Sequence, residues 1–187
     1  GGDSLAIFST AHTLRGSSTT WRNRLANNPQ ASEGALELME RMARENCYNH
    51  LGESKTMPFD LLWHTGAPVT RNTLKRIVNS TATPDSANSG VMNVYKSSYR
   101  LVELPRVMMT AAGAYDTTKR RYWGIAASQY SSFWCGIWEE PNMTPPSAGS
   151  NGEDILTDDW DFKVRTAFGI VLLNPNFLTI STGDGTA

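Results

Sequence analysis

The stretch DWDFKVRTAFGIVLLNPNFLTIST, residues 159–182, carries the strongest structural signal in the chain. Alternate residues over 164–172 are apolar or β-branched, which is the signature of a strand with one buried face. The run 170–173 is apolar at every position, so we expect this end of the strand to be covered on both faces. The proline of the turn 174–176 cannot donate to a sheet ladder, and pairing should end there.

Two amphipathic helices are predicted upstream of this stretch. The first covers 32–47 with Ser32 as its N-cap, and the second covers 68–80 with a proline suited to its first turn. The apolar stripe of the first helix consists of Ala35, Leu38, Met39, Met42 and Ala43. The second helix is expected to turn three basic side chains toward solvent, namely Arg71, Lys75 and Arg76.

Short apolar runs elsewhere predict strands at 5–8, 59–64, 91–104, 122–126 and 133–138. The stretch 91–104 holds either a pair of strands or one interrupted strand, and residues 141–154 have the composition of a linker or mobile loop. Helices interleave with strands, but regular βαβ repeats are missing. The sequence therefore predicts a mixed α+β fold and not a doubly wound sheet.

Length and charge exclude several classes of protein. A chain of 187 residues is long enough for one domain, or for one domain with an added lobe, and needs neither disulfides nor metal to fold. Its formal net charge of −1 argues against binding nucleic acid over the whole surface, although a local patch stays open. No apolar stretch approaches the roughly 20 residues that span a bilayer, so no membrane partner is expected.

No cluster of residues has the spacing of a catalytic or metal site. The histidines His12, His50 and His64 lie outside metal-ligand spacing of one another and of the cysteines. His12 can be imagined as a general base, but without a nucleophile motif a hydrogen-bonded structural histidine is favoured. The carboxylates at 139–140 and 158–161 lack the spaced oxygens of a calcium loop. We therefore predict no catalytic residue, no metal, no cofactor and no enzymatic activity.

The two cysteines, Cys47 and Cys135, are too few for a disulfide framework. A single bridge between them is one interpretation. Two unrelated buried thiols are the favoured one.

One region holds more aromatic side chains than a small core requires, and a basic cluster lies beside it. Aromatic residues are enriched in protein interfaces. The basic cluster fits nucleic-acid binding only weakly, and a strand-end charge cluster or a subunit contact is favoured. The candidate subunit-interface residues are Lys119, Arg120, Arg121, Trp123, Tyr130, Phe133, Trp134 and Trp138. We expect Trp134 or Trp138 to lie in a core or in an intersubunit contact.

Several short motifs also follow one another in a familiar order. They are Phe8-Ser9-Thr10-Ala11-His12 with Gly16 and Asn23; Gly52, Pro58 and Leu61; Met92-Asn93-Val94-Tyr95 and Val102-Glu103-Leu104-Pro105-Arg106; and Phe162, Arg165 and Gly169 leading into Asn174-Pro175. With the two helices between them, these motifs resemble the Mu-like major head subunits of tailed bacteriophages. The resemblance covers most of the chain.

This resemblance implies the capsid fold named after phage HK-ninety-seven, which has a peripheral (P) and an axial (A) domain. It places a P-like part with an N-terminal loop and two helices at 1–90. An A-like lobe with the Trp-rich run follows at 91–155, and a closing β segment at 156–187 returns to the P domain. No full N-terminal arm and no long spine helix are visible in the sequence.

By the same resemblance the chain is a structural major capsid protein. Such a protein self-assembles into pentamers and hexamers and into an icosahedral or prolate head that encloses double-stranded DNA. The implied partners are further copies of the chain, DNA through weak non-specific contact, and portal, scaffold or decoration proteins. The implied location is the virion, with assembly in the host cytoplasm.

Two other functions stay open. One is a carbohydrate-binding or hydrolytic domain that uses Trp123, Trp134 and Trp138 as its ligand surface. The other is a different phage structural component, such as a tail or decoration protein.

Overall fold

A computed structural model of the chain describes residues 5–14, 18–46, 57–82, 91–130, 132–144 and 163–185. Within these ranges the chain has two α-helices and seven strands, so the predicted mixed α+β class is confirmed. The chain divides into two units. Residues 1–132 with 173–187 form the first, which we term the globular unit, and residues 133–172 form the second, which we term the hairpin unit.

Helix α1 (Glu33–Glu45) supplies one side of the core of the globular unit. Its N-cap is Ser32, as predicted, and the Ser32 hydroxyl accepts a hydrogen bond from the Ala35 amide at 3.2 Å. The predicted apolar stripe is wrong at Leu38, which is 44% exposed, whereas Leu36 is fully buried. These two residues lie on opposite flanks of the stripe, and only the Leu36 flank faces the neighbouring elements.

Helix α2 (Pro68–Asn79) buries its predicted apolar face in the same core. Two of the three basic residues expected to face solvent, Lys75 and Arg76, are exposed. The third, Arg71, is half-buried, so that part of the prediction is wrong. Arg71 lies in the first turn of the helix, close enough to His64 to act on the charge of that imidazole.

The main sheet has β3 (Leu61–His64) at its centre. On one side β4 (Arg100–Glu103) pairs with it in parallel, and on the other side β5 (Trp123–Ala126) pairs with it antiparallel. Single bridges extend the sheet beyond β5, to Leu178 and Ser181 of the returning C-terminal segment. The sheet and the two helices enclose the main core.

The stretch 91–104 contributes one strand, β4, and not a strand pair. Ahead of it the chain makes turns, in which the Asn93 side chain accepts a hydrogen bond from the Tyr95 amide at 2.9 Å. Asn93 and Tyr95 are both buried, while Val91 and Val94 are exposed. The apolar residues ahead of β4 are therefore turn residues. They are either buried or exposed to solvent, and they do not form a strand ladder.

The predicted strand at 5–8 is also wrong. The first pairing joins β1 (His12–Thr13) to β2 (Thr20–Trp21), further along the chain. Phe8 contributes by packing, because its ring stacks on Trp63 with the ring centroids 6.2 Å apart. The apolar signal at 5–8 thus marked a packing contact.

The hairpin unit consists of β6 (Phe133–Thr144) paired antiparallel with β7 (Lys163–Leu172). The strand predicted at 133–138 therefore continues into the segment predicted to be a linker. The rest of that segment belongs to residues 145–162, which lie outside the described ranges.

β7 has the predicted alternation but lacks the predicted cover. Ile170 and Val171 are 62% and 52% exposed, although cover on both faces was expected. The expectation fails because the hairpin unit, as far as the structure describes it, is a two-stranded sheet without a second layer. The turn at 174–176 does end the pairing, through a short 3-10 helix, Pro175–Phe177.

The predicted division into 1–90, 91–155 and 156–187 stays a prediction. The two units of the structure have their boundaries elsewhere, at residues 132/133 and 172/173. Neither helix in the described ranges has the length and apolar composition needed to cross a bilayer.

Candidate functional site

The basic cluster of Lys119, Arg120 and Arg121 lies in the turns before β5. The Lys119 ammonium pairs with the carboxylate of Asp116 at 3.1 Å. The backbone carbonyl of Arg120 accepts a hydrogen bond from the Thr65 hydroxyl at 2.6 Å. The cluster is therefore tied into the end of the main sheet, which fits the strand-end charge cluster among the interpretations above.

Trp123 is a core residue, and its assignment to a subunit interface is wrong. It is fully buried, and its indole nitrogen donates to the carbonyl of Pro29 at 3.1 Å. Tyr130 is half-buried and stacks on Phe177 with the ring centroids 5.1 Å apart. Because Trp123 has no exposed surface, it is also unavailable to the ligand surface imagined for Trp123, Trp134 and Trp138.

The remaining aromatic candidates lie together in the hairpin unit. Phe133 is 42% exposed, Trp134 is 59% exposed and Trp138 is 93% exposed. All three belong to β6, and Trp138 lies in a register shift between Ile137 and Glu139. An indole this exposed is costly to leave in water, so this strand is the natural place to look for a binding surface.

The pairing of β6 with β7 separates the side chains of the hairpin onto two faces. Residues directly opposite each other in an antiparallel pair point to the same face, and alternate pairs share a face. On one face, which we term the apolar face, the facing pairs are Phe133 with Leu172, Cys135 with Ile170, Ile137 with Phe168, and Met143 with Val164. Seven of these eight side chains are exposed, and Leu172 is half-buried.

The other face, which we term the mixed face, is polar along much of its length. Trp134 and Val171 face each other at one end, and the Trp134 ring lies across Gly136, where an added Cβ would be 3.0 Å from the ring. Further along, the guanidinium of Arg165 lies 3.8 Å from the carboxylate of Glu139. The Glu139–Arg165 ion pair is thus kept off the apolar face.

A surface of this kind can bind another apolar surface but offers little to a polar ligand. The Thr166 hydroxyl, on the apolar face, donates to the Glu139 carbonyl of the neighbouring strand at 3.1 Å. The side chains of the four facing pairs on that face are apolar or a thiol. Contiguous exposed apolar patches larger than a few hundred Å² mark interaction sites in soluble proteins.

On the β6 side of this surface, sequence reasoning named only Phe133 as an interface residue, and it missed the β7 side. Val164, Phe168 and Ile170 were recognised as an alternating apolar set, but the alternation was taken to mean burial inside the chain. The signal that could have corrected this is the length of the pattern. A strand of ten residues, Lys163–Leu172, needs a long partner strand and a covering layer, and the sequence predicts no further helix to provide one.

The buried histidines are structural. The Nε2 atom of His12 lies 3.2 Å from the carbonyl of Ile7, and its ring stacks on Trp21 with centroids 4.3 Å apart. His64 accepts a hydrogen bond at Nδ1 from the Gly66 amide at 3.0 Å.

Burial lowers the pKa of His64 below its ordinary value of 6.5. The neighbouring Glu103 carboxylate opposes this shift, whereas the positive charges of Arg71 and Lys75 add to it. The His64 imidazole is therefore neutral at neutral pH.

Cys135 carries a free thiol that is exposed on the apolar face, so the expectation that it is buried is wrong. Cys47 and His50 lie outside the described residues, as do the acidic residues 158–161. Within the described ranges, no three His, Cys, Asp or Glu side chains lie close enough together to hold a metal ion.

The chain matches no protein-family model, no curated protein and no solved structure. Its function therefore has to be inferred from its own surfaces. The apolar face and the exposed indole of Trp138 are the features of the described residues that burial inside the chain leaves unexplained.

Proposed function

We propose that the chain is a structural subunit of a tailed-phage head, a major capsid protein that assembles with copies of itself into capsomers and a closed shell around double-stranded DNA. The observation that carries this proposal is the apolar face of the hairpin unit. A monomeric protein gains nothing from a long, exposed apolar strand pair. An assembling subunit buries such a surface when it meets its neighbours.

The energetic argument is direct. Fully burying one large apolar side chain is favourable by about 1.5–3 kcal/mol, and the apolar face presents six that are 42–64% exposed. They are Phe133, Ile137, Met143, Val164, Phe168 and Ile170. Removing these side chains from water in a contact repeated around a shell supplies a driving force that an isolated subunit cannot realise.

The fold proposed for this function is the HK-ninety-seven type, with P and A domains. The mixed α+β class and the order of segments that resembles Mu-like head subunits support it. The described helices, of 13 and 12 residues, are too short to be a long spine helix, so the fold would be a variant without one in these ranges.

The proposed partners follow from the same function. Further copies of the chain come first, in pentamers and hexamers, and portal, scaffold or decoration proteins would dock on the finished shell. A net charge of −1 suits only weak, non-specific contact with the enclosed DNA. The proposed location is the virion, after assembly in the host cytoplasm.

Light scattering and negative-stain imaging of the purified chain and of particles from its source test this proposal. We expect rings or shells, and we expect Ile137→Asp to abolish them because a carboxylate would be buried in the contact. The matched control is Val69→Asp, which places the same charge at an exposed position of α2 and should leave assembly intact. A monomer in both the purified chain and the material from its source would contradict the proposal. Trp138 would then be the first residue to test for ligand binding.

A further inference from the structure

We propose that the apolar face of the hairpin unit is covered by the same face of a second copy of the chain. The two hairpins would stack into a four-stranded sandwich of two layers, related by a two-fold axis. The inference rests on the proposed self-assembly and names one contact within it.

The hairpin itself calls for a second layer. Two-stranded sheets are marginally stable in water, and independent stability requires more strands or a packed face. β6 and β7 pair over most of their length, yet register shifts interrupt the ladder twice, between Ile137 and Glu139 and between Glu139 and Asn142. A ladder interrupted in this way gains its stability from side-chain packing on a face, and the facing pairs of the apolar face carry no charge.

The area of the face is suited to a partner of its own size. The six exposed apolar side chains present on the order of 600 Å² of surface. A stable protein interface buries about 800 Å² on each partner. One hairpin face therefore provides most of the area that one partner buries in a stable interface. An identical face on a second copy provides the corresponding area of the other partner.

The lack of charge on the facing pairs favours a second copy of the chain over a charged partner. No side chain in the four facing pairs of the apolar face is ionised, because the Glu139–Arg165 pair lies on the mixed face. A partner rich in charge would have its own groups stripped of water without compensation. A second apolar face has no such cost, and in a two-fold contact the same surface of both copies is used, so that if residue i contacts residue j of the other copy, residue j contacts residue i.

The two-fold axis would pass near the facing pair Ile137 and Phe168, which lies between the Cys135–Ile170 row and the Met143–Val164 row. Stacked sheets lie about 10 Å apart, and Cys135 lies about 7 Å along the strand from Ile137. The two Cys135 thiols of a pair would then fall within about 20 Å of each other, inside the span of a long bismaleimide.

The closing experiment uses the full chain with Cys47→Ser, so that Cys135 is the only thiol. Added to the dilute protein, in which Cys135 is accessible, and kept present while the copies assemble, a long bismaleimide should convert most of the protein to a covalent dimer on a denaturing gel. The matched control carries Cys47→Ser, Cys135→Ser and Val171→Cys. It moves the thiol to the mixed face, where crosslinked dimer should drop at least tenfold.

A second pair of variants tests the same face without crosslinking. Phe168→Glu should raise the concentration needed for half-assembly by about 30-fold or more, because the charge would lie at the centre of the contact. Val171→Glu carries the same substitution on the mixed face at a similar exposure and should change that concentration less than threefold. Thermal unfolding of both variants shows whether the globular unit is intact.

The outcomes separate this inference from the proposed function. A discrete crosslinked dimer that never forms rings or shells supports the inference and contradicts the capsid proposal. Shells that form without crosslinked dimer at Cys135 overturn the inference alone. A monomer in which Cys135 is protected also overturns it, since the cover would then come from the same chain. A monomer with a reactive Cys135 contradicts both.

Discussion

The main sheet of the globular unit and the β6–β7 sheet of the hairpin unit both carry large apolar side chains, but these side chains have opposite environments. Leu62 and Ile125, in the main sheet, are fully buried, whereas Ile137 and Phe168, in the hairpin, are each 64% exposed. The main sheet is covered by α1 and α2, and the described hairpin has no such layer. An apolar strand pattern thus fixes the need for a cover but not whether the cover comes from the same molecule.

The largest expected effect contrasts two tryptophans. Trp123→Ala should destabilise the globular unit by about 3–5 kcal/mol, because a fully buried indole and its hydrogen bond to Pro29 are lost. Trp138→Ala should change the stability of the dilute protein by less than about 0.5 kcal/mol. Urea unfolding followed by circular dichroism measures both, and equal losses would erase the distinction between the two regions.

Two glycines give the next contrast. A Cβ at Gly124, in β5, would lie 1.9 Å from the backbone oxygen of Thr179, so Gly124→Ala should cost about 3 kcal/mol. A Cβ at Gly169, in β7, would meet nothing within 4 Å, so Gly169→Ala should be neutral within about 0.5 kcal/mol. Thermal unfolding midpoints report the difference. A tolerated Gly124→Ala would mean that the C-terminal segment does not lie against β5 as described.

Two asparagines provide a smaller contrast. Asn93 is buried, with its amide donating to the carbonyl of Ser80 and accepting from Tyr95, so Asn93→Ala should cost about 2 kcal/mol. Asn142 is exposed in β6, and Asn142→Ala should have almost no effect on unfolding. Chemical denaturation of the two variants, side by side, checks the prediction. Similar losses of unfolding free energy in the two variants would show that burial does not determine how much each asparagine contributes to stability.

The smallest effect is a pH dependence confined to the globular unit. Burial lowers the pKa of His64 in the folded protein, while the unfolded chain titrates near the ordinary value of 6.5. The unfolded state then binds more protons below that value, so stability should fall as the pH drops below 6.5. The slope should weaken in His64→Gln, measured by urea unfolding at pH 7.5 and 5.5. An unchanged slope would assign the loss to other groups.

The sequence predicted the two helices and the strands at 59–64, 122–126 and 133–138 near their observed positions because these elements depend on nearby residues, whereas the strand predicted at 5–8 is wrong. The N-cap at Ser32 and the proline that opens α2 are short-range signals, and both are found in the structure. The error at Leu38 arose because two flanks of one stripe have the same spacing, and only tertiary neighbours distinguish them.

The candidate site was harder to predict because exposure is a property of the whole fold. Trp123 and Trp138 are alike as sequence signals, yet one is in the core and the other is almost fully exposed. The difference between them is strand pairing. β5 lies between β3 and the C-terminal segment, whereas among the described residues β6 pairs with β7 alone. No local pattern contains that information.

Hydrogen exchange at low and high protein concentration tests the central claim most directly, namely that the globular unit is stable alone and the hairpin is stable only when a second copy covers it. We predict slow amide exchange in 61–64 and 123–126 at both concentrations. In 133–144 and 163–172 exchange should be fast in the dilute monomer and at least tenfold slower in the assembled protein. Hairpin amides that are already protected in the dilute monomer would contradict the account.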